Sequence, residues 1–284
     1  MRFVIIASAR TGSSHLVNML GAHPEILCNG NVFHPHQVWV FWPEADLDRS
    51  IRDELKVLRE KDPVALLERV FATDLGRPHV GFKIFEGQNN EILDRVIHDG
   101  TVKKVVLYRK NVLANFSSKL AARKSTKFGA REGETVAKAP SVRFVRDRFI
   151  EFHDEYVAFY RGAIARLNAC GQPFHLVDYD EINDPALFSA LVNFIGADPT
   201  IEPSKLEQQQ RKKQVKQNSS DICSRFSNPA DVLDFLRENG LLHWAHEGET
   251  SMEPMGGSWS SGEGSSGSLD HDSEFAPDAT KMES

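Results

Sequence analysis

The sequence predicts an open α/β fold in which a mostly parallel sheet is flanked by helices on both faces. Four short, nearly continuous apolar segments have the β-branched composition of buried strands: 2–8, 79–85, 103–109 and 173–180. Segments with helical spacing of apolar residues lie between them, and this alternation is typical of parallel sheets. The chain has 284 residues, 40% of them hydrophobic, which is enough for one domain of this kind.

Helices are predicted between and after these strands. The first is expected from about Ser14 to Leu20, ahead of Gly21, and Pro63 is a favoured first residue for another. Ser141 is placed to cap a long helix. Its apolar stripe is typical of core packing and consists of Val142, Val145, Phe149, Phe152, Tyr156, Phe159, Ala163 and Leu167. Further helices are predicted at 111–123, 185–195 and 230–237.

The chain divides into a domain at 1–247 and a tail at 248–284. The tail has eight acidic residues and one lysine, a net charge of −7, which leaves +1 for the domain out of the chain's −6. The tail is rich in Gly and Ser, and it can bury too little apolar surface to offset the entropy of ordering. We interpret it as a disordered, solvated terminus rather than an acidic interaction arm.

Several classes of protein are disfavoured by composition. No apolar run reaches about 18 residues, so no transmembrane segment is predicted, and the N-terminal apolar run is too short for a signal peptide. The three cysteines are far apart and form neither a metal pair nor a disulfide framework. We therefore expect a cytoplasmic protein without a metal, and we expect no nucleic-acid partner.

The junction of the first strand and the first helix carries the strongest signal. Residues 7–16 read ASARTGSSHL, so that a buried strand enters a tight turn at Gly12 and a helix follows. The N–H groups at a helix start, together with the helix dipole, bind anions. Further donors come from three hydroxyls and one guanidinium: Thr11, Ser13, Ser14 and Arg10. The alternative is that the two serines only cap the helix.

This loop is neither of two common nucleotide-binding motifs. A Walker A loop needs a Lys after its last Gly, and Ser13 follows Gly12 here. The dinucleotide motif G-x-G-x-x-G is also missing. A P-loop-like kinase therefore remains an alternative that the missing Lys disfavours.

The segment R-T-G-S-S-x-L at 10–16 resembles the 5′-phosphosulfate-binding loop of sulfotransferases. The variant is closest to bacterial carbohydrate and lipopolysaccharide sulfotransferases of the nodulation type. The resemblance implies that the donor is 3′-phosphoadenosine 5′-phosphosulfate (PAPS), that the product is 3′-phosphoadenosine 5′-phosphate (PAP), and that no metal takes part. Arg10 would stabilise charge on the leaving phosphate.

A second motif lies at the end of the third apolar segment. Arg109 ends this strand and Ser117 follows eight residues later, a spacing that resembles the 3′-phosphate-binding pair of the same family. Ligands of open α/β sheets bind at the carboxyl ends of strands, which is where Arg109 is expected. Alone, the pair would be interpreted as an exposed arginine and a solvated serine.

Three weaker matches support the resemblance. Lys83, inside the apolar segment 79–85, resembles a lysine that follows Gly-Phe in the family's second strand, and a lysine there must reach the mouth of the sheet or a partner to stay charged. Lys83 is therefore a catalytic candidate, and the alternative is a charge at the rim. Lys216 lies in a basic segment at 211–218 that resembles the loop closing over the 3′-phosphate. The segment at 177–182 resembles one that organises the family's core.

The position of the catalytic base departs from the family pattern. Asn31 stands where related carbohydrate enzymes have a Glu, and an amide cannot accept a proton near neutral pH. Asn31 is then a substrate-binding candidate, and His34, the nearest titratable group, is the candidate base and a second substrate contact. His36 and Glu25 are further options.

The sequence therefore predicts a PAPS-dependent sulfotransferase that acts on a hydroxyl of a small-molecule, glycan or lipid acceptor. A carbohydrate or glycolipid is the expected acceptor. The alternatives are a P-loop-like kinase and a homologue that binds the donor but is catalytically impaired.

Overall fold

The fold is built on a parallel five-stranded sheet. The computed structural model describes residues 1–43, 48–124, 130–131, 140–201, 214–215 and 219–248. The strands are β1 (Arg2–Ala7), β2 (Ile26–Asn31), β3 (His79–Phe85), β4 (Val102–Tyr108), β5 (Ala130–Arg131), β6 (Phe174–Asp178) and β7 (Gln214–Val215). The sheet has the order β2-β3-β1-β4-β6 with every pairing parallel, and β5 pairs antiparallel with β7. The predicted α/β fold class is confirmed.

Helices connect the strands of this sheet and cover it. They are α1 (Ser13–Gly21), α2 (Arg49–Lys61), α3 (Pro63–Ala72), α4 (Asn90–His98), α5 (Val112–Lys124), α6 (Arg146–Ala169), α7 (Pro185–Ile195) and α8 (Pro229–Glu238). Pro63 and Pro185 occupy the first turns of α3 and α7, where the missing N–H removes no helical hydrogen bond. Asp62 and Asp184 cap the same helices by accepting backbone N–H bonds.

The two faces of the sheet pack against separate hydrophobic cores. Along β1, Val4 and Ile6 belong to one core and Phe3 and Ile5 to the other, because successive side chains of a strand point to opposite faces. Gly81 lies opposite Phe3 in the β1–β3 register, and a Cβ there would come within 2.4 Å of the phenyl ring. Both faces are therefore covered, as the continuous apolar strands predict.

The chain reverses its direction of winding between β1 and β4. After β1 it builds β2 and β3 on one side, and it then crosses to build β4 and β6 on the other. Such a switch point leaves a crevice at the carboxyl ends of the two central strands, where open α/β sheets bind ligands. The loop after β1 and Arg109 after β4 both lie at this edge.

Two local predictions differ from the structure. The helix cap at Ser141 is wrong, because the long helix begins at Arg146 and the preceding segment is extended. There Val142 bridges to Phe226, so tertiary pairing overrides a local capping signal. The strand β2 was not predicted, because its sequence ILCNGN lacks the continuous apolar character of the other strands.

Two further predictions meet the limits of the described residues. Among the described helices, none is long and apolar enough to cross a membrane. The tail from 249 onward and Lys216 lie outside the described residues, as does the basic segment at 211–218 apart from 214–215, so the tail and Lys216 stay predictions.

Candidate functional site

The loop after β1 adopts a strained backbone that leads directly into α1. Arg10 has φ +68° and Gly12 has φ +81°, both in the left-handed region. Thr11 is fully buried, and its hydroxyl donates to the carbonyl of Ser8 at 2.8 Å. The carbonyl of Gly12 accepts the amides of His15 and Leu16, so the helix begins at once. The loop is thereby held as a fixed turn with a helix N-terminus at its end.

Tyr179 fixes this turn from outside. A Cβ on Gly12 would lie 2.8 Å from the Tyr179 ring, so the close approach requires glycine. The guanidinium of Arg109 lies 4.0 Å from the centroid of the same ring. Tyr179 belongs to the segment at 177–182, and it packs between the loop after β1 and the arginine after β4.

We expect Gly12→Ala to destabilise the protein more than Gly87→Ala, by about 1–3 kcal/mol. Both glycines have positive φ, but a Cβ at Gly87 would meet nothing within 4 Å. The difference in unfolding free energy between the two variants therefore measures the contact with Tyr179. Equal values in urea titrations would contradict it.

Lys83 reaches the loop from the neighbouring strand β3. Its ammonium donates to the hydroxyls of Ser14 at 2.8 Å and Ser13 at 3.4 Å. The pKa of Lys83 is lowered to about 8, mainly by burial; Cys28 opposes this shift and the charge of Arg10 adds to it. A buried cation aimed at the start of a helix is suited to an anionic ligand.

The two sequence motifs meet at the switch point. The Arg109 guanidinium donates to the carbonyl of Arg10 at 3.4 Å, and Arg10 donates to the hydroxyl of Ser118 at 2.9 Å. Burial, and then the charge of Arg109, lowers the pKa of Arg10. The structure therefore brings together cations that the sequence placed 99 residues apart in the chain.

Ser117 faces a partner that was not predicted. Its hydroxyl donates to the carbonyl of Ala114 at 2.9 Å and accepts from Arg225 at 3.3 Å. Arg225 and Arg109 both bind one carboxylate oxygen of Glu247. Neither Arg225 nor Glu247 stands in a motif, so no sequence signal could have identified the contact.

Two buried tyrosines of α6 hold the strand ends that carry these groups. The Tyr156 hydroxyl accepts the amide of Arg109 at 2.8 Å and donates to its carbonyl at 3.1 Å. The Tyr160 hydroxyl accepts the amide of Ser8 at 2.8 Å and donates to the carbonyl of Leu107 at 2.7 Å. Burial raises the pKa of both phenols, so each remains a donor. Most of the predicted stripe packs in the core, but Tyr160 is fully buried where Phe159 was predicted, and Val145, which precedes the helix, is 38% exposed.

Asn31 and His34 lie at the end of β2. Asn31 is opposite Lys83 in the β2–β3 register, and its buried side-chain oxygen has no hydrogen-bond partner among the described residues. His34 Nδ1 accepts the amide of His36 at 3.2 Å, so the neutral ring carries its proton on Nε2 in this conformation. Burial, followed by the charges of His36, Arg59 and Lys83, lowers the pKa of His34.

Glu25, an alternative base in the sequence, lies elsewhere. It precedes β2 at the amino edge of the sheet, and its carboxylate accepts the amide of Asp198 at 2.9 Å. The loop after β1 is at the opposite, carboxyl edge. No cluster of His, Cys, Asp and Glu with the size of a metal site occurs among the residues that the structure describes.

Comparisons with known proteins bear on the motifs. No protein-family model matches the chain. The chain is 28% identical over 209 residues to nodulation protein H of Rhizobium tropici, covering 69% of this chain and 75% of that protein. It is 28% identical over 149 residues to nodulation protein H of Rhizobium meliloti (strain 1021), covering 49% of this chain and 55% of the relative. A solved sulfotransferase from Alicyclobacillus acidocaldarius is 17% identical with a TM-score of 0.44, covering 86% of this chain and 98% of that one.

Both curated relatives are nodulation proteins, the type that the loop at 10–16 resembles. The first of these matches extends over most of the chain, well beyond that loop. The resemblance of this chain to the sulfotransferase family, first indicated by the loop and by Arg109 with Ser117, is thereby confirmed.

Proposed function

We propose that the protein transfers the sulfuryl group of PAPS to a hydroxyl group of a carbohydrate or glycolipid. The observation that carries this proposal is the meeting of two cationic centres at one edge of the sheet. One centre is Lys83 with the loop after β1, and the other is Arg109, which is linked to Ser117 through Glu247 and Arg225. A donor with one phosphate group on the 5′ position and another on the 3′ position of its ribose needs two such centres.

The loop after β1 would bind the 5′ end of the donor. Its helix-start amides, the Ser14 hydroxyl and the Lys83 ammonium can all donate to phosphosulfate oxygens. Negative charge builds on the leaving phosphate oxygen during transfer, and donors fixed beforehand stabilise it without reorganisation. Arg10 and Lys83 are the cations of this proposed subsite, and both are largely withdrawn from water.

Arg109 and Ser117 would bind the 3′-phosphate. Arg109 is buried, is stacked on Tyr179 and has its backbone held by Tyr156, so its guanidinium is fixed before a ligand arrives. A planar guanidinium matches phosphate oxygens in bidentate geometry. This fixed arginine supports a donor that carries a phosphate on the ribose.

The acceptor hydroxyl would bind near Asn31 and His34. The unsatisfied Asn31 oxygen is an acceptor beside Lys83, and a substrate hydroxyl can donate to it. His34 is neutral at pH 7 because its pKa is lowered, and it remains the proposed base. To accept the proton, His34 Nδ1 would release the His36 amide and take a hydrogen bond from the substrate hydroxyl instead.

We expect Arg109→Ala to weaken binding of PAP by about 10- to 100-fold and binding of adenosine 5′-phosphate (AMP), which lacks the 3′-phosphate, by less than about 3-fold. A lost charge-assisted hydrogen bond has that magnitude. Calorimetric titration of both nucleotides measures it. Arg237→Ala is the matched control, because Arg237 is an exposed arginine of α8 paired with Asp234.

Equal weakening of PAP and AMP would contradict the assignment of the 3′-phosphate to Arg109. Transfer itself is tested by incubating the protein with labelled PAPS and a panel of glycans and glycolipids. Labelled product would support the proposed reaction. If the protein instead hydrolysed ATP in the presence of magnesium and did not bind PAP, these results would favour the kinase alternative.

A further inference from the structure

A glutamate carboxylate lies between two arginines at the proposed 3′-phosphate subsite. One oxygen of Glu247 accepts from Arg109 at 2.7 Å and also from Arg225. Arg225 in turn donates to the hydroxyl of Ser117 at 3.3 Å. The side chains of Arg109, Arg225 and Glu247 are each only 5–6% exposed.

The backbone around Glu247 is fixed to the turn that carries Arg225. The amide of Glu247 donates to the carbonyl of Ser220 at 3.0 Å, and the amide of Ile222 donates to that of Ala245 at 2.8 Å. Asn111, two residues after Arg109, donates to the carbonyl of Trp244 at 3.1 Å. These contacts bring the carboxylate to the arginines although more than 130 residues separate Arg109 from Glu247.

The charges of this cluster are not balanced. One carboxylate neutralises one of the two guanidinium charges of Arg109 and Arg225, and burial, the largest effect on Arg225, lowers the pKa of that arginine. A phosphate monoester carries close to two negative charges above its second pKa of about 6. It would therefore match the two guanidinium groups better than the carboxylate does, and it offers more oxygens for bidentate contacts.

We propose that Arg225 is a second arginine of the 3′-phosphate subsite and that Glu247 occupies the place of the phosphate until the donor displaces it. This inference rests on the proposed PAPS-dependent function. Arg109, Arg225 and the Ser117 hydroxyl bind the phosphate when it arrives. The carboxylate keeps the two arginines in place beforehand, and it competes with the donor for them.

The first test is Glu247→Gln, which removes the negative charge and keeps the size of the side chain. We expect PAP to bind about 3- to 30-fold more tightly than to the wild type, because the competing state is weakened. AMP has no phosphate for this subsite, and its affinity stays within about 2-fold. Glu238→Gln is the matched control, since Glu238 pairs with Arg146 at an exposed site and should change neither affinity.

The same variant has a stability readout. Without ligand, Glu247→Gln should unfold at a lower temperature than Glu238→Gln, because two buried guanidinium groups lose their carboxylate. Addition of PAP should raise the unfolding temperature of Glu247→Gln by more than it raises that of the wild type, whereas AMP should raise both by the same amount. This comparison applies even where the unliganded variant is only partly folded, because recovery of the folded protein with PAP is then the readout.

The second test is Arg225→Gln. We expect PAP affinity to fall by about 10- to 100-fold and AMP affinity to change little, since only the 3′-phosphate would contact Arg225. Arg146→Gln is the control, because Arg146 forms the same type of pair with Glu238 on the surface. The two surface variants thus match the two site variants in the charge that each removes.

Two results would overturn the proposal while leaving the donor assignment intact. One is a wild type that prefers PAP over AMP through Arg109 while Glu247→Gln binds PAP no more tightly. The other is an Arg225→Gln variant with unchanged preference for PAP. If the wild type and Arg109→Ala both bind PAP and AMP equally, the proposed PAPS-dependent function itself is wrong.

Discussion

Replacing Lys83 with methionine is expected to lower kcat by about 10²- to 10³-fold. The ammonium lies 2.8 Å from the Ser14 hydroxyl at the start of α1, where the leaving phosphate would develop charge. Removal of one fixed donor from a site of this kind has that effect on catalysis. Methionine keeps most of the length and apolar contact of the lysine stem, so the loss reports the charge. Single-turnover transfer from labelled PAPS measures it.

Lys103→Met is the matched control for this prediction. Lys103 lies at the amino end of β4, on the opposite edge of the sheet from the loop, and its ammonium lies 5.2 Å from the centroid of the Phe194 ring. We expect this variant to transfer sulfuryl at the wild-type rate. A Lys83→Met variant with the same rate would contradict the role of the Lys83 charge.

Lys83 also predicts how activity depends on pH. Burial lowers its pKa from 10.5 to about 8, so kcat/KM is expected to fall as pH rises through about 8 and the ammonium loses its proton. The Lys83→Arg variant should lack this decline, because a guanidinium stays charged over the whole range. If kcat/KM of the wild type and of Lys83→Arg depended on pH in the same way above pH 8, the assignment to Lys83 would be contradicted.

Rising pH is expected to change the stability contribution of Lys83 in the opposite direction from activity. Between pH 8 and 10.5 the unfolded chain keeps the Lys83 proton while the folded protein releases it, so the unfolded state binds more protons. The contribution of Lys83 to the unfolding free energy therefore rises with pH in this window. Activity that falls while this contribution rises cannot be attributed to unfolding caused by Lys83. Thermal unfolding of the wild type and Lys83→Met at pH 8 and 10 tests the sign.

The turn and the strand-end residues of the proposed donor site could be located from the sequence because their geometry is local. The turn at Gly12 follows directly from a buried strand and a helix start, and parallel pairing brings Lys83 and Arg109 to the same edge of the sheet. The position of each of these residues follows from its place along a single strand or turn. The approach of Tyr179 to Gly12 needed the structure, although its segment was recognised.

Contacts that depend on tertiary packing left no such signal. Arg225 lies in a short turn and Glu247 near the end of the described chain, and neither has a motif around it. The same limit explains the wrong cap at Ser141. Its hydroxyl suggests a helix start, but Val142 pairs with Phe226 and keeps the segment extended as far as Val145.

His34→Ala is expected to lower turnover by about 10²- to 10⁴-fold while PAP affinity stays near that of the wild type. Burial and nearby positive charge lower the pKa of His34, so the neutral ring that can accept a proton is already present at pH 7. Transfer activity should rise with pH only at values below the usual pKa range of histidine. Because Lys83 causes a decline above pH 8, the plot of activity against pH should be bell-shaped. His98→Ala, at an exposed position bonded to Asp94, is the control.

Asn31→Glu separates this base from the alternative of an impaired homologue. An active wild type that loses activity on His34→Ala supports His34, and unchanged activity in His34→Ala contradicts it. An inactive wild type that gains transfer on Asn31→Glu supports the loss of a carboxylate base at this position. That substitution would place a carboxylate opposite Lys83 in the β2–β3 register, and the attraction would raise the pKa of the lysine. The decline in kcat/KM should then move above pH 8, and a decline that stays in place would show that the new carboxylate does not reach the ammonium.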